Sequence, residues 1–353
     1  MLVANAKSEV QGRTTLGGVL LADISKMEIE RIVADGDLDG MLSAAILRRV
    51  WRGVPVRFSH PAEVRRGDVD DWMTRGTPVL DLPFHPDCGL HIDHHLTNKP
   101  TPSQQEAAAA DGCQIVWDDA LSAARVCFNT FREVADLGDI EAWMGMVDKL
   151  DGGKVSREEF LSDHPIVWIG RTIDASDDEY CQALLHQIVE GGAPEDLVNL
   201  QFVAGKIDDA KREFRHLQSL LDECTNVVDR MAIVRLDERG IRTNGYLVTG
   251  HVGEKCDACM IIHGFEDAES DGKWPLSASF YSNSFLHEDG GVFDLTEMAT
   301  AFDVDGGGHA NACGCRIQPL SDDVEVEQRN VTSEDVERNI DAWMARWGRR
   351  SSE

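Results

Sequence analysis

The chain has 353 residues, 42% of them hydrophobic and 27% charged, which suits a globular protein of two ordinary-sized domains better than one small core. Its formal net charge of −29 repels a nucleic-acid backbone, so tight non-specific binding of long DNA is disfavoured without a local basic groove. No apolar run reaches the length of a membrane span and the N-terminus lacks a signal-peptide layout, so a cytoplasmic location and no membrane partner are expected.

The nine cysteines are odd in number and scattered, unlike a secreted disulfide framework. Cys256/Cys259 and Cys313/Cys315 have the closeness of zinc ligands, but both pairs lie in apolar segments that read as core strands, and that reading is preferred. Asp is abundant and Lys scarce, so the acidic surplus points to a solvated surface suited to a salty cytoplasm.

Residues 1–26 show no clear periodicity and read as an arm. "MEIERIVADGD" then reads as a strand running into a loop, and in "DGMLSAAILRRVW" Leu42, Ala45, Ile46 and Val50 share a helical face. "VPVRFS", "TPVLDL" and "GLHID" are further short strands, the last two ending in an aspartate. This order predicts a mainly parallel α/β sheet with ligands at the carboxyl ends of its strands. "DDALSAARVCFNTF" reads as a helix with an Asp cap, burying Leu121, Ala124, Phe128 and Phe131. "DIEAWMGMVDKLDGG" reads as another, ending on its Gly pair.

After "GGAPED", Leu197, Leu200, Ala204, Ile207, Phe214, Leu217 and Leu221 keep helical spacing, as in a connector or an ordinary packing helix. From Val227 the texture changes: "MAIVRL", "ACMII" and "LSASFY" read as strands, and "DLTEMATAF" as a short helix capped by Asp294. The glycine-rich "DVDGGGHANACGCRI" turns into another strand, and a charged tail carries a helix around Val336 to Trp347.

The strand ends supply Asp35, Asp37 and Asp39 in "DGDLDG", then Asp81, then Asp93, His94 and His95; Asp148 closes the apolar face of its helix. Brought together by parallel strands, these acids cannot all stay ionised without compensation, and bound divalent cations are the natural one. Carboxylates with one or two imidazoles suit manganese or magnesium better than zinc or copper. Each acid taken alone has a plainer explanation as a cap, a strand end or a solvated residue. The Asp followed by two histidines at a strand end is what makes the set specific.

"DGDLDG", "VLDL", "IDHH" and "MVDKL", in this order, resemble the four motifs of the DHH phosphoesterase superfamily, and "GGGHANACGCRI" resembles the signature of its associated C-terminal domain. The resemblance spans roughly residues 28 to 318. It implies a mainly parallel-sheet DHH domain over 27–192, a linker helix over 193–225 and a smaller α/β substrate domain over 226–320, with the charged tail over 321–353. It implies two manganese ions, magnesium being an alternative, held by Asp35, Asp37, Asp81, His94 and Asp148, with Asp81 bridging. His95 would face the substrate phosphate and Asp93 would orient the neighbouring histidine, Asp39 also lying behind the ligands. Gly306, Gly307, Gly308 and His309 would hold a phosphate, and His95, Asp81 and His309 would serve catalysis.

Two positions depart from the family pattern. Arg31 stands where many members have a histidine four residues before the first metal aspartate. Tyr281 in "SFYS" stands where many nucleotide-cleaving members have an arginine, with Asn283 or Arg316 as candidate substitutes.

The activity implied is metal-assisted hydrolysis of phosphodiester or terminal phosphate bonds in short oligonucleotides or small nucleotides. A phosphoanhydride hydrolase acting on polyphosphate or pyrophosphate, and a non-catalytic nucleic-acid-binding or scaffold relative, are the competing readings. A homo-oligomer is compatible with all three.

Overall fold

The computed structural model describes Thr15–Leu16, Val19–Leu20, and residues 24–267, 273–287 and 290–350. Most of the expected N-terminal arm lies outside the described residues. The chain divides into two compact units: Met1–Gly152 with Asp163–Ala210, and Gly153–Ser162 with Lys211–Glu353. No described helix is long and apolar enough to cross a membrane.

Thr15–Leu16 (β1) and Val19–Leu20 (β2) form a small antiparallel ladder. The main sheet of the first unit contains Ile32–Asp35 (β3), Val56–Ser59 (β4), Pro78–Leu80 (β5), Leu90–Asp93 (β6) and Gln114–Trp117 (β7). All neighbours are parallel, in the order β4-β3-β5-β6-β7. The chain leaves β3 toward β4 and returns across it to β5, so the direction of winding reverses between β3 and β5. In such sheets ligands settle at the carboxyl ends beside that reversal. Asp35 ends β3 and Asp81 follows β5, one on each side of it.

Helix Leu38–Val50 follows β3 directly. Asp37 caps it by accepting from Gly40 N at 2.9 Å, Asp39 lies in its first turn and Arg48 and Arg49 in its last, matching the helix dipole at both ends. It is buried on nearly every side from Leu38 to Leu47, not only on the face that its spacing predicts. A Cβ on Gly40 would stand 2.2 Å from the Asp35 carbonyl, so the glycine lets this helix start hard against β3.

Three predicted elements differ in detail. Helix Ala123–Phe131 is capped by Ser122, whose Oγ accepts from Arg125 N at 3.0 Å, and Leu121 falls outside it, 46% exposed. The long connector is broken: Pro194–Leu197 forms one helical turn, the chain bends over 198–200, and Gln201–Cys224 then runs on from the first unit into the second. Apolar spacing continues across the bend, which is why it reads as one helix. The C-terminal helix starts earlier than its apolar spacing suggests, at Ser333.

The second unit is built on a six-stranded mixed sheet, from Thr225–Val228 (β8), Met231–Arg235 (β9), Ala258–His263 (β10), Ser277–Ser282 (β11), Gly307–His309 (β12) and Ala312–Arg316 (β13). The order is β12-β13-β11-β10-β9-β8, with only β9 and β10 parallel. Alternation along the strands sends Met231, Ala258, Met260, Ile262 and Phe280 to one face, where helices Thr296–Ala299 and Ser333–Trp347 cover them. Ala232, Val234, Cys259 and Ile261 point to the other, against Leu217 and Leu221 of the long helix. Val336, Ile340, Trp343 and Trp347 belong to the first of these cores, so the helix in the charged tail is part of the unit's interior. Cys256 and Cys259 lie in the second core, Cys313 in the first, and all three are free thiols.

Candidate metal centre

The carboxyl ends of β3, β5 and β6 gather acids and imidazoles into three groups, joined by Asp151 from a helix. Asp35, Asp37 and Asp81 form one group whose ligand atoms lie within 4.8 Å of one another. Asp81, Asp93, His94 and His95 form a second, and Asp39, His94 and Asp151 a third.

Asp81 is 2% exposed and sits at φ +57°, a left-handed conformation that L-residues seldom adopt outside strained or functional positions. Its N–H still donates to Ile92 O at 3.0 Å, so the turn holds Asp81 beside β6. Its Oδ1 is buried without a hydrogen-bond partner, 3.3 Å from His95 Nδ1 and 3.8 Å from His94 Nε2.

His94 Nδ1 lies 3.0 Å from the Ala120 carbonyl, and as the donor of that bond it turns Nε2 toward the site. Nε2 is buried and unpartnered, 2.9 Å from Asp151 Oδ2 but out of hydrogen-bond alignment, and 3.9 Å from Asp39 Oδ2. Asp151 Oδ2 is likewise buried without a partner.

The carboxylates around these atoms are held in place by the backbone. Asp93, fully buried, accepts on Oδ1 from the N–H groups of His94 (2.6 Å) and His95 (2.8 Å), with His95 Nδ1 at 3.0 Å, and on Oδ2 from Asn98 at 2.8 Å. Asp39 accepts from Ala123 N and Ala124 N, both at 2.7 Å, and so fastens the start of helix Ala123–Phe131 to the site. Asp35 accepts from Gly36 N at 2.7 Å.

Burial, and then crowding, sets the electrostatics. Burial, then Asp37, raises the Asp35 carboxyl to about 7. Burial, then Asp151, raises Asp39 well above the ordinary carboxylate range; burial, then Asp39, does the same to Asp81. Asp93 goes the other way: burial would raise it, but the hydrogen bonds from His95 and its neighbours outweigh burial and lower it. Burial opposes a charged His94, yet the Asp151 carboxylate overcomes it and raises the imidazole to about 9.

The donor set fits a hard or borderline divalent cation. Asp81 Oδ1, His94 Nε2 and Asp151 Oδ2 are buried ligand atoms without an aligned hydrogen bond, and a cation would engage them while relieving the repulsion that adds to burial in raising the carboxyls.

Asp148 departs from its expected place. Its Oδ1 accepts from Ser122 Oγ at 2.7 Å, and its Oδ2 from Arg125 Nε and Nη2 at 3.0 and 2.5 Å, so both oxygens are engaged away from the three groups. Asp151, one helical turn later on Glu141–Asp151, is the acid that faces His94. The two share a helix face, and "DKLDGG" contains both; spacing could nominate either, and the Ser122–Arg125 pair decides.

The remaining predicted positions lie in the second unit or beside the site. Gly307–His309 is the edge strand β12, with His309 exposed. Gly308 has φ +139°, and a Cβ there would stand 2.6 Å from the Ala312 carbonyl, so only glycine fits. Tyr281 packs into the core against the start of helix Gly245–Val252. Asn283 is fully buried, with Nδ2 donating to the carbonyls of Gly253 (3.0 Å) and Cys256 (2.8 Å), which removes it as a substitute for the missing arginine. Arg316 is exposed. Arg31 stacks over Trp72, 5.6 Å from the ring centre.

No family model matches the sequence. No curated protein matches it either. Solved structures do. The pGpG-specific phosphodiesterase PggH from Vibrio cholerae superposes with a TM-score of 0.68 at 20% identity, over 90% of this chain and 98% of that one. The DHH domain of a protein assigned to a family of ribosomal proteins superposes with a TM-score of 0.53 at 11% identity, over 92% and 88%. RecJ in complex with Mn2+ from Thermus thermophilus superposes more loosely, with a TM-score of 0.47 at 13% identity, over 92% and 54%. The chain therefore has the fold of the DHH proteins.

Proposed function

We propose that this DHH-fold chain is a metal-dependent phosphoesterase that hydrolyses phosphodiester or terminal phosphate bonds of short oligonucleotides or small nucleotides. The observation that carries the reading is the set of three buried ligand atoms without an aligned hydrogen bond, Asp81 Oδ1, His94 Nε2 and Asp151 Oδ2, among carboxyls raised by burial and then by one another. The fold shared with a pGpG-specific phosphodiesterase supports a dinucleotide-sized substrate.

Asp35, Asp37, Asp81, His94 and Asp151 would hold two divalent cations, manganese or magnesium, with Asp81 common to the groups around β3 and β6. When bound, such ions supply Lewis-acid polarisation of a phosphoryl oxygen and activation of a water.

The chain's own residues do the rest. Asp93 receives the two backbone N–H groups of His94 and His95 and the His95 ring, keeping that imidazole turned toward Asp81. His95, with its side chain 44% exposed, is the group available to meet a substrate phosphate and counter its charge. Asp39 and the Asp148–Arg125 pair fix the two helices that deliver His94's carbonyl partner region and Asp151. In the second unit, Gly306 and the edge strand of Gly307, Gly308 and His309 would hold a phosphate, on backbone that the glycines leave unscreened.

One manganese-supplemented assay tests this, run against pAp, a linear dinucleotide, a short single strand, cyclic dinucleotides and polyphosphate. Turnover of the dinucleotide or short strand is expected, and Asp81→Asn should abolish it while leaving the unfolding transition in place. Near-normal turnover in that variant would refute the bridging role. The second reading, a phosphoanhydride hydrolase, is favoured by Tyr281 and Asn283 being committed to the interior, which leaves no base-reading arginine at those positions. Turnover of polyphosphate alone would establish it. Failure of the protein to bind manganese would favour a scaffold.

A further inference from the structure

The turn that carries His95 is thinly held. His95, Leu96, Thr97 and Lys99 stand largely in solvent, Leu96 to 74%. Within the turn, Asn98 N donates to His95 O at 3.2 Å and Lys99 N reaches Leu96 O only at 3.4 Å. Asp93, the last residue of β6, fastens the start of the turn through the His95 N–H and ring and through Asn98 Nδ2.

Trp117 adds a second hold, from the neighbouring strand β7. It ends β7 in register with Asp93 on β6, so its backbone is part of the parallel sheet. Its indole N–H donates to the His95 carbonyl at 3.0 Å, and the Lys99 ammonium rests 3.5 Å from its ring centre. One side chain thereby grips both ends of the turn, by a hydrogen bond at His95 and by a cation–π contact at Lys99.

We infer that Trp117 is a positioning residue: its indole clamps the turn His95–Lys99 to β7 and so, together with Asp93, keeps the His95 imidazole facing the site. The consequence for turnover rests on the phosphoesterase reading, whereas the clamp itself does not. The clamp has no part in gripping His94, whose ring is anchored on Ala120, so cation binding should be insensitive to it.

The test pairs activity with a chemical probe. Trp117→Phe removes the N–H and keeps a ring for Lys99; Trp117→Leu removes both. On the substrate that the manganese-supplemented assay identifies, Trp117→Phe should lower kcat about tenfold, the scale of one hydrogen bond, with KM and manganese affinity essentially those of wild type. Trp117→Leu should lower kcat further. In a His95→Ala background Trp117→Phe should cost nothing more, because the two act through one group. Independently of turnover, diethylpyrocarbonate should modify His95 several-fold faster in Trp117→Phe than in wild type, read by fragmentation of the peptide containing residues 91–99.

Additive losses in the double variant, or an unchanged His95 modification rate in Trp117→Phe, would overturn the clamp. If the wild type hydrolyses nothing while the modification rate still rises, the clamp stands and the phosphoesterase reading falls.

Discussion

Asp151→Asn leaves the helix and its packing in place but removes a charged oxygen 2.9 Å from His94 Nε2, so it should weaken manganese binding by at least about tenfold. Asp148→Asn removes the charge that pairs with Arg125 instead; it should cost up to about 1.5–3 kcal/mol of stability, the range for hydrogen bonds to charged groups, with metal stoichiometry unchanged. Titration calorimetry and denaturant unfolding of the two variants separate these roles, and the reverse pattern would return Asp148 to the ligand set. Asp81 shows the other residue-scale feature, a carboxylate in a left-handed conformation with an unpartnered oxygen. Backbone strain of this kind costs about 1–3 kcal/mol and persists where the surrounding structure overrides it.

Helix Ser333–Trp347 is an element that looks like a charged appendage and behaves as interior. Its first turn is organised by Asp335, fully buried, which accepts from Arg329 Nη1 and Nη2 at 2.6 Å each, from Thr332 N at 2.9 Å and from Leu320 N at 3.2 Å. Burial would raise this carboxyl, but the Arg329 guanidinium and the backbone N–H groups more than offset it and hold it well below the usual range. A depressed carboxyl adds stability above its unfolded value and loses that stability as the pH falls toward its folded value. Stability should therefore decline as the pH drops below about 4, and Asp335→Asn should be less stable at neutral pH with a shallower acid dependence. Equal slopes for the two proteins in acid would show that the pair does not contribute.

At the scale of the molecule, charge and cation binding should dominate the response to conditions. A cation that binds only the folded chain stabilises it by mass action, about 2.7 kcal/mol at a hundred times its Kd. Calorimetry should show the unfolding temperature rising with manganese concentration, and Asp81→Asn should remove most of that rise. The net charge of −29 repels itself, and raising ionic strength from about 0.1 M to 1 M shortens the screening length from roughly 10 to 3 Å. The metal-free protein should accordingly unfold at higher temperature at the upper end of that range. Indifference to salt would remove the case for a chain adapted to high salt.

Local and periodic features were legible in the order of the residues. Short apolar runs ending in acids are enough to predict parallel strands with Asp35, Asp81 and Asp93 at their carboxyl ends, because side-chain alternation and strand length are properties of a few adjacent residues. The order of the DHH motifs pointed to the fold that the structural neighbours share.

The other features depend on which distant group reaches a side chain first, and no local pattern carries that. Asp148 and Asp151 are equivalent by spacing until Ser122 and Arg125 occupy one of them. Asn283 and Tyr281 are free to read a substrate along the linear chain and spent on packing in the folded one. Residues 153–162 join the second unit across a gap in sequence that nothing nearby marks. Trp117, an ordinary strand residue by composition, meets His95 only because β6 and β7 lie side by side.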